Sequence, residues 1–185
     1  ITDHHEQLDV LPNAYAIINP KRRDNTYPFR GLAGVGVVFK VIQAISMKLN
    51  LDEKEYLKYL DIVCIGTISD IVPLVDENRV IAKLGLMLVK CTKNVGLKEL
   101  IEESGYKTID SGMVSFGIAP RINACGRMGK QEEALELFLT DNPEKAKTTT
   151  KRLNEYNIQR QETEKQIFEQ AISELEKENL EEKSS

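Results

Sequence analysis

Apolar positions recur along this chain with more than one period, and the changes of period divide it into elements. From Leu32 to Leu49 the residues Val35, Val38, Phe39, Ile42, Ile45 and Leu49 return at helical spacing and predict a helix. Arg79 to Cys91 repeats that texture, with Val80, Leu84, Met87, Leu88 and Cys91 on one face. Leu97 to Glu103 predicts a further helix, which Ser104-Gly105 closes with a glycine stop. Asp52 reads as the N-cap of a short helix through Tyr59, with Glu55 completing a capping box. Leu60 to Ile65 differs: it is a compact apolar run rich in β-branched residues, which predicts a strand buried on both faces of a parallel sheet. Gly66 to Asp70 then becomes the loop at its carboxyl end. Ala14 to Asn19 predicts a shorter strand closed by Pro20, with a polar loop from Lys21 to Arg30. Strands alternating with helices predict an α/β architecture.

Asp110 to Phe116 and Glu132 to Leu139 predict short helices, separated by the Gly- and Arg-containing segment Ala119 to Lys130. The texture then changes. Asp141-Asn142-Pro143 supplies an N-cap and a first-turn proline, and the chain runs on to Glu181 without Gly or Pro, predicting one long helix. At the helical rise such a rod would extend roughly 55 Å, which suits a projecting or domain-linking element. Leu153, Ile167, Phe168, Ala171, Ile172 and Leu175 give it only a sparse apolar stripe. Its first part, Glu144 to Arg160, holds five basic residues against two acidic ones, and the remainder is acidic. The basic part either faces a polyanion or is a solvated face with i,i+4 pairs.

Composition narrows the class. With 185 residues, 41% hydrophobic and 29% charged, the chain is that of a soluble globular protein of one domain plus an appendage. A net charge of −4 argues against a partner held mainly by a basic surface, yet leaves room for local basic grooves and for clustered aspartates that hold metal. Three cysteines, Cys64, Cys91 and Cys125, lie far apart without a C-x-x-C pair, which speaks against a disulfide framework or a zinc knuckle and points to a reducing cytoplasm. No export signal or membrane-spanning run is legible, so no membrane partner is expected. The opening Ile1-Thr2-Asp3-His4-His5 reads like the end of a strand, so a piece of a longer protein is expected.

Four groups of residues carry candidate chemistry. Asp3-His4-His5 gathers metal-capable side chains at an expected strand end, where open α/β sheets place their ligands. Imidazole and carboxylate together suit Mn²⁺ or a comparable divalent ion, the alternative being a surface turn. Asp70 follows the apolar run and lies in Gly66-Thr67-Ile68-Ser69-Asp70-Ile71-Val72-Pro73-Leu74; it is either a metal-bound carboxylate among apolar residues or a helix N-cap. In Ala119-Pro120-Arg121-Ile122-Asn123-Ala124-Cys125-Gly126-Arg127-Met128-Gly129, two arginines and an asparagine sit among small residues, fit for phosphate or for an arginine–carboxylate pair. Lys21, Arg22, Arg23 and Arg30 flank Tyr27 and Phe29, a basic loop with aromatics that could meet a nucleic-acid strand or simply be solvated.

In order, D-H-H, N-P-K-R-R-D-N-T-Y-P-F-R-G-L-A-G-V-G-V-V-F-K, G-T-I-S-D-I-V-P-L and A-P-R-I-N-A-C-G-R-M-G closely resemble the RecJ exonuclease family of the DHH phosphoesterase superfamily, over roughly residues 1 to 181. The last two blocks are more specific than D-H-H, which a broad superfamily shares. The resemblance implies the C-terminal part of a DHH-type parallel-sheet domain over residues 1–140, followed by a long linker helix over 141–185. It implies a two-metal centre using Mn²⁺ or Mg²⁺ that removes mononucleotides from the 5′ end of single-stranded DNA, in repair and recombination. Carried over, His4 and Asp70 resemble metal ligands, His5 resembles a group on the scissile phosphate, and Asp3 resembles a ligand or a partner orienting the histidines. Arg121, Asn123 and Arg127 fall in the block expected to contact DNA phosphate. A monomer is expected, beside a single-stranded-DNA-binding protein and a helicase. The family's earlier aspartate motifs and its later glycine–histidine motif are absent from this chain, so isolated it is expected to bind metal poorly. Alternative readings are another DHH phosphoesterase, such as a nanoRNase or a cyclic-dinucleotide phosphodiesterase, and a non-catalytic DHH scaffold in replication.

Overall fold

The apolar run that reads as a strand is a helix. In the computed structural model, which describes residues 1–177, Leu60–Ser69 forms a helix whose Leu60, Asp61, Val63, Cys64, Ile65, Thr67 and Ile68 are all buried. A helix enclosed on nearly every side loses its polar stripe, and with it the period that distinguishes helix from strand in so short a run. The expected parallel sheet is accordingly not found: among the described residues the only β pairing is a single parallel bridge, Thr2 with Ile18. The two segments around it are the remnant of the predicted strands at Ile1 and at Ala14 to Asn19.

The helices, in order, are α1 (Gly34–Lys48), α2 (Lys54–Leu57), α3 (Leu60–Ser69), α4 (Asp76–Val89), α5 (Val95–Ser104), a π-helical segment Met113–Ile118, α6 (Ala119–Arg127), α7 (Gln131–Leu139) and α8 (Pro143–Lys177). The helices expected around Val35, Arg79, Leu97, Glu132 and Pro143 are all present. Ala119 to Lys130, read as a separator, is instead largely helical as α6. It stops where Gly129 takes φ +67° and Lys130 N–H reaches back to the Cys125 carbonyl at 2.7 Å, a glycine-dependent helix end.

The chain divides into two compact units, Ile1–Asn94 with Ser104–Ala119, and Val95–Glu103 with Pro120–Ser185. In the first, Leu32, Val37, Phe39, Tyr56, Leu60, Val63 and Ile81 form the core, with Phe39 and Tyr56 edge to face at 5.9 Å. The buried face of α4 is not the predicted one, and the recurring apolar residues of α1 are only partly buried, with Phe39 in the core and Val35 and Ile42 packed against it. On α4, Asn78, Ile81, Ala82, Gly85 and Val89 face inward, whereas Val80, Leu84 and Met87 are exposed. On α1, Val37 and Phe39 are buried with Gly36 and Ser46, whereas Val38, Ile45 and Leu49 are exposed. Small residues decide these faces because they let backbones approach: a Cβ at Gly85 would lie 2.2 Å from Cys64 Cβ. Glu53 rather than Asp52 is the N-cap of α2; Asp52, one residue earlier, accepts Lys54 N–H through Oδ1 at 2.9 Å, while Glu55 bonds Lys58 rather than closing a capping box.

Inside this unit the buried Asp61 carboxylate accepts the Thr92 hydroxyl at 2.6 Å and its neighbour's N–H at 2.7 Å, which offsets its desolvation. Burial and the Asp61 charge push the Cys64 thiol up to about 12, so it stays protonated and donates to the Ala82 carbonyl. Cys64 is thereby no thiolate ligand.

In the second unit α8 packs on α7, and the buried residues of α8 are Ala146, Thr149, Thr150, Leu153 and Asn157. Of the predicted stripe only Leu153 is buried; Ile167, Phe168, Ile172 and Leu175 are exposed. Three- and four-residue spacing holds on both sets, but the packed one is built from small and polar residues that a count of apolar positions passes over. Several basic residues of the first half of α8 meet acids: Lys145 pairs with Glu136, and Arg152 with Glu133 at 3.4 Å. Asn142 caps α8, its Oδ1 accepting the N–H groups of Glu144 and Lys145. The expected run of the helix on to Glu181 lies outside the described residues.

Candidate metal centre

The Asp3-His4-His5 segment is held by backbone pairing on one side and by its own carboxylate on the other. Ile18 N–H donates to the Ile1 carbonyl at 2.9 Å and Asp3 N–H to the Ile18 carbonyl at 3.0 Å, so the three residues leave a short parallel pairing in a set direction. Asp3 Oδ1 then accepts His4 N–H at 2.7 Å, His5 N–H at 3.2 Å and His5 Nδ1–H at 2.7 Å. Because the carboxylate can only accept, it fixes the proton on His5 Nδ1 and leaves Nε2 as the ring's other nitrogen. Asn19, which is buried, donates through Nδ2 to the His5 carbonyl at 2.9 Å and accepts Lys21 N–H at 2.8 Å, tying the far side of the segment to the turn after Pro20.

These donors, the His5 side chain first, hold the Asp3 carboxyl at about 2, below its ordinary 3.8. A depressed folded-state value stabilises the fold above 3.8, and that contribution disappears as pH falls through about 2. The stability gap between the parent and Asp3→Asn is therefore expected to be widest at neutral pH and to close near pH 2, which urea unfolding at both pH values measures. Asp3 is half-exposed, so solvent screening keeps the gap small.

His4 lies against the first turn of α1, where Gly34 leaves room for it: a Cβ there would come within 3.3 Å of His4 Cδ2. Across from it, Asp70 at the C-terminal end of α3 brings Oδ2 to 3.4 Å from His4 Nδ1. The two histidine rings stack at 4.4 Å with a 51° tilt. Directly after Asp70 the chain reverses through Ile71 at φ +56°, a left-handed conformation that costs a β-branched residue roughly 1–2 kcal/mol. Ile71 is 89% exposed, so no packing compensates that strain locally. Strain of this kind concentrates at functional sites.

The donor set has the geometry for a divalent ion in part. Cis ligands at bond lengths near 2.1 Å lie about 3 Å apart, so an imidazole and a carboxylate 3.4 Å apart suit a shared hard cation with little adjustment. They fit as a pair and no more: among the described residues no group of three or more His, Cys, Asp or Glu side chains is gathered as a metal site.

The other predicted residues are placed as follows. Arg22 makes a two-pronged pair with Asp24, at 2.9 and 2.6 Å, and also donates to the Ile17 carbonyl. Arg23 pairs with Asp9 at 2.9 Å. Tyr27 donates its hydroxyl to Glu77 at 2.7 Å, and Lys40 shares the same carboxylate at 2.9 Å. Burial first, and Glu77 second, push the Tyr27 hydroxyl up, so it remains the donor. Arg22, Asn25, Tyr27 and Lys40 line a cleft of about 330 Å³. In the second unit Asn123 and Arg127, four residues apart on α6, share an exposed face, while Arg121 is half-buried and reaches the Glu103 carbonyl at 3.4 Å. His4, His5, Asp3 and Asp70 are thus brought together in the first unit, and the α6 residues belong to the second. Sequence reasoning missed Gly34, Asn19 and Asn78, whose roles depend on distant partners; only the glycine spacing before α1 hinted at one of them.

A metal-capable pair lies where a D-H-H turn meets a G-T-I-S-D helix end, and residues 1–67 match the model of the DHH family, N-terminal domain. The likeness extends past that domain. The chain is 41% identical over 182 residues to the single-stranded-DNA-specific exonuclease RecJ of Bacillus subtilis, covering 97% of this chain and 22% of the relative. It is 34% identical to RecJ of Escherichia coli over 96% of this chain and 33% of the relative. The crystal structure of RecJ in complex with Mn²⁺ from Thermus thermophilus superposes with a TM-score of 0.82 at 35% identity, over 91% of this chain and 25% of that one. A structure of exonuclease RecJ bound to manganese gives 0.84 at 34% identity, over 94% and 43%. This chain is RecJ-like along nearly all its length, and it spans between a fifth and a third of the curated relatives it matches.

Proposed function

We propose that this chain is part of a metal-dependent exonuclease that hydrolyses single-stranded DNA from its 5′ end. The observation that carries the reading is the meeting of His4 and Asp70, 66 positions apart in sequence and 3.4 Å apart in space, within a RecJ-like chain. His4 and Asp70 would hold Mn²⁺ or Mg²⁺, with Asp3 as a further ligand or as the group that orients the histidines. When bound, such ions supply an activated water for attack at phosphorus and neutralise charge on the departing oxygen.

The chain's own residues then position and balance charge. Asp3 keeps the His5 Nδ1 proton, so a protonated His5 presents Nε2–H to a phosphate oxygen and offsets charge as it develops. Asn123 and Arg127 on the open face of α6, with Arg121, take phosphates of the strand, the guanidinium fork matching paired oxygens. Arg22 and Arg23 exchange Asp24 and Asp9 for phosphate, and the Tyr27 ring offers a stacking surface. Residues 1–140 belong on this reading to the catalytic DHH domain, and α8 leads on from it as a linking helix. A cytoplasmic monomer working beside a single-stranded-DNA-binding protein and a helicase suits an enzyme that needs unpaired strands.

The test uses the natural full-length protein and labelled substrates. Mononucleotide release from long single-stranded DNA is expected with Mn²⁺ or Mg²⁺, and none with a chelator or on blunt duplex. Preference for dinucleotides, or a metal-replete protein that leaves single strands intact, would overturn the reading.

A further inference from the structure

Asn78 sits in the first turn of α4, is fully buried, and makes its hydrogen bonds away from both histidines and Asp70. Its Nδ2 donates two of them, to the Gly31 carbonyl at 2.7 Å and to the Pro73 carbonyl at 3.0 Å. Both partners are carbonyls, so the amide must face them with its nitrogen, and neither a carboxylate nor an alkyl group can replace it.

Each partner is three residues from a position at the candidate centre, one from a residue that His4 packs against and the other from Asp70 itself. Gly31 precedes by three residues Gly34, against which the His4 ring lies, and Pro73 follows Asp70 by three residues. Between Asp70 and Pro73 the chain passes through the left-handed Ile71, a conformation that persists only where surrounding structure imposes it. The preceding residue, Glu77, bonds the Tyr27 hydroxyl and Lys40, so the same turn of α4 also grips the loop leading to Gly31 and the body of α1.

We infer that Asn78 is a positioning residue for the candidate metal centre: it staples the loop before α1 to the loop after α3 and thereby sets the separation of His4 and Asp70. The inference rests on the reading of that pair as metal ligands. Without the staple the strained Ile71 loop relaxes, and the two donors lose their common bite.

Mn²⁺ affinity of the full-length protein, measured by electron paramagnetic resonance, is the readout. Asn78→Asp keeps the shape and removes the donors; Asn78→Ser is the milder variant should the first fail to fold. Thr92→Val is the control, since it breaks the buried Asp61 contact in the same unit without touching either loop. Each Asn78 variant is expected to weaken Mn²⁺ binding by about tenfold, the scale of outer-shell losses at metal sites, with Thr92→Val unchanged. Folded Asn78 variants that bind Mn²⁺ like the parent would overturn the inference, as would an equal loss in Thr92→Val. His4→Ala and Asp70→Ala separate the two levels: if both bind Mn²⁺ like the parent, the ligand reading itself fails; if both weaken and the Asn78 variants do not, only the staple fails.

Discussion

On the proposed exonuclease reading, replacing His4 by alanine, or Asp70 by asparagine, is expected to lower the rate of DNA hydrolysis by the full-length protein by on the order of 10³-fold, the effect of losing several kcal/mol of charge stabilisation. Each change alters one of the two groups that approach to 3.4 Å, and among the described residues no group of three or more His, Cys, Asp or Glu is gathered as a metal site that could compensate. For Asp70→Asn stability should hardly move. Asp70 is half-exposed and its side chain points toward His4, and an exposed carboxylate contributes little to a fold. The informative comparison is therefore rate against melting temperature: a large loss of rate at unchanged melting temperature supports a ligand role. Rates within a factor of a few of the parent would remove His4 and Asp70 from the chemistry. His5→Ala should differ in kind, because His5 is exposed and bound to Asp3. Its loss is expected to lower the rate by about 10²-fold while Mn²⁺ affinity stays near that of the parent.

Gly85→Ala is expected to destabilise the first unit strongly. The added methyl would stand 2.2 Å from Cys64 Cβ and 2.5 Å from the Leu60 carbonyl oxygen, neither of which is the free end of a flexible side chain. Helices α3 and α4 must part, and overpacking of this kind costs about 3 kcal/mol even after alanine's better helix propensity is credited. For a chain of this size the melting temperature should fall by roughly 6–12 °C. Gly126→Ala in α6 is the contrast: nothing lies within 4 Å of its Cβ position, so the same chemical change is expected to stabilise by about 0.5–1 kcal/mol. Thermal unfolding followed by circular dichroism decides both, and a Gly85→Ala melting point equal to the parent's would mean that α3 and α4 are not in close contact.

Helix positions were legible where a helix has one wet side and marked ends. α1, α5 and α7 have an amphipathic period, α5 has its glycine stop at Gly105 with φ +72°, and α8 has the Asn142 cap and Pro143. Legibility failed for α3, because burial on all sides leaves no period to read, and for α6, because its Gly- and Arg-containing stretch read as a separator between helices. Faces were less legible than helices. On α4 both Val80, Leu84 and Met87 and the alternative set around Ile81 have helical spacing, and the choice between them fell to Gly85, which permits closer packing than any larger residue.

By itself the sequence determined the residue types of the site, their order along the chain and the family likeness, since these reside in local blocks such as D-H-H and G-T-I-S-D. It also determined the long helix, whose caps and uninterrupted run are local properties. Only the tertiary structure decided that Asp70 meets His4, that Gly34 makes room for that imidazole, and that Asn78 ties the two loops together. Those contacts join positions up to 66 residues apart, and no local propensity encodes a distance between segments; the packing of α3 against α1 and α4 sets it.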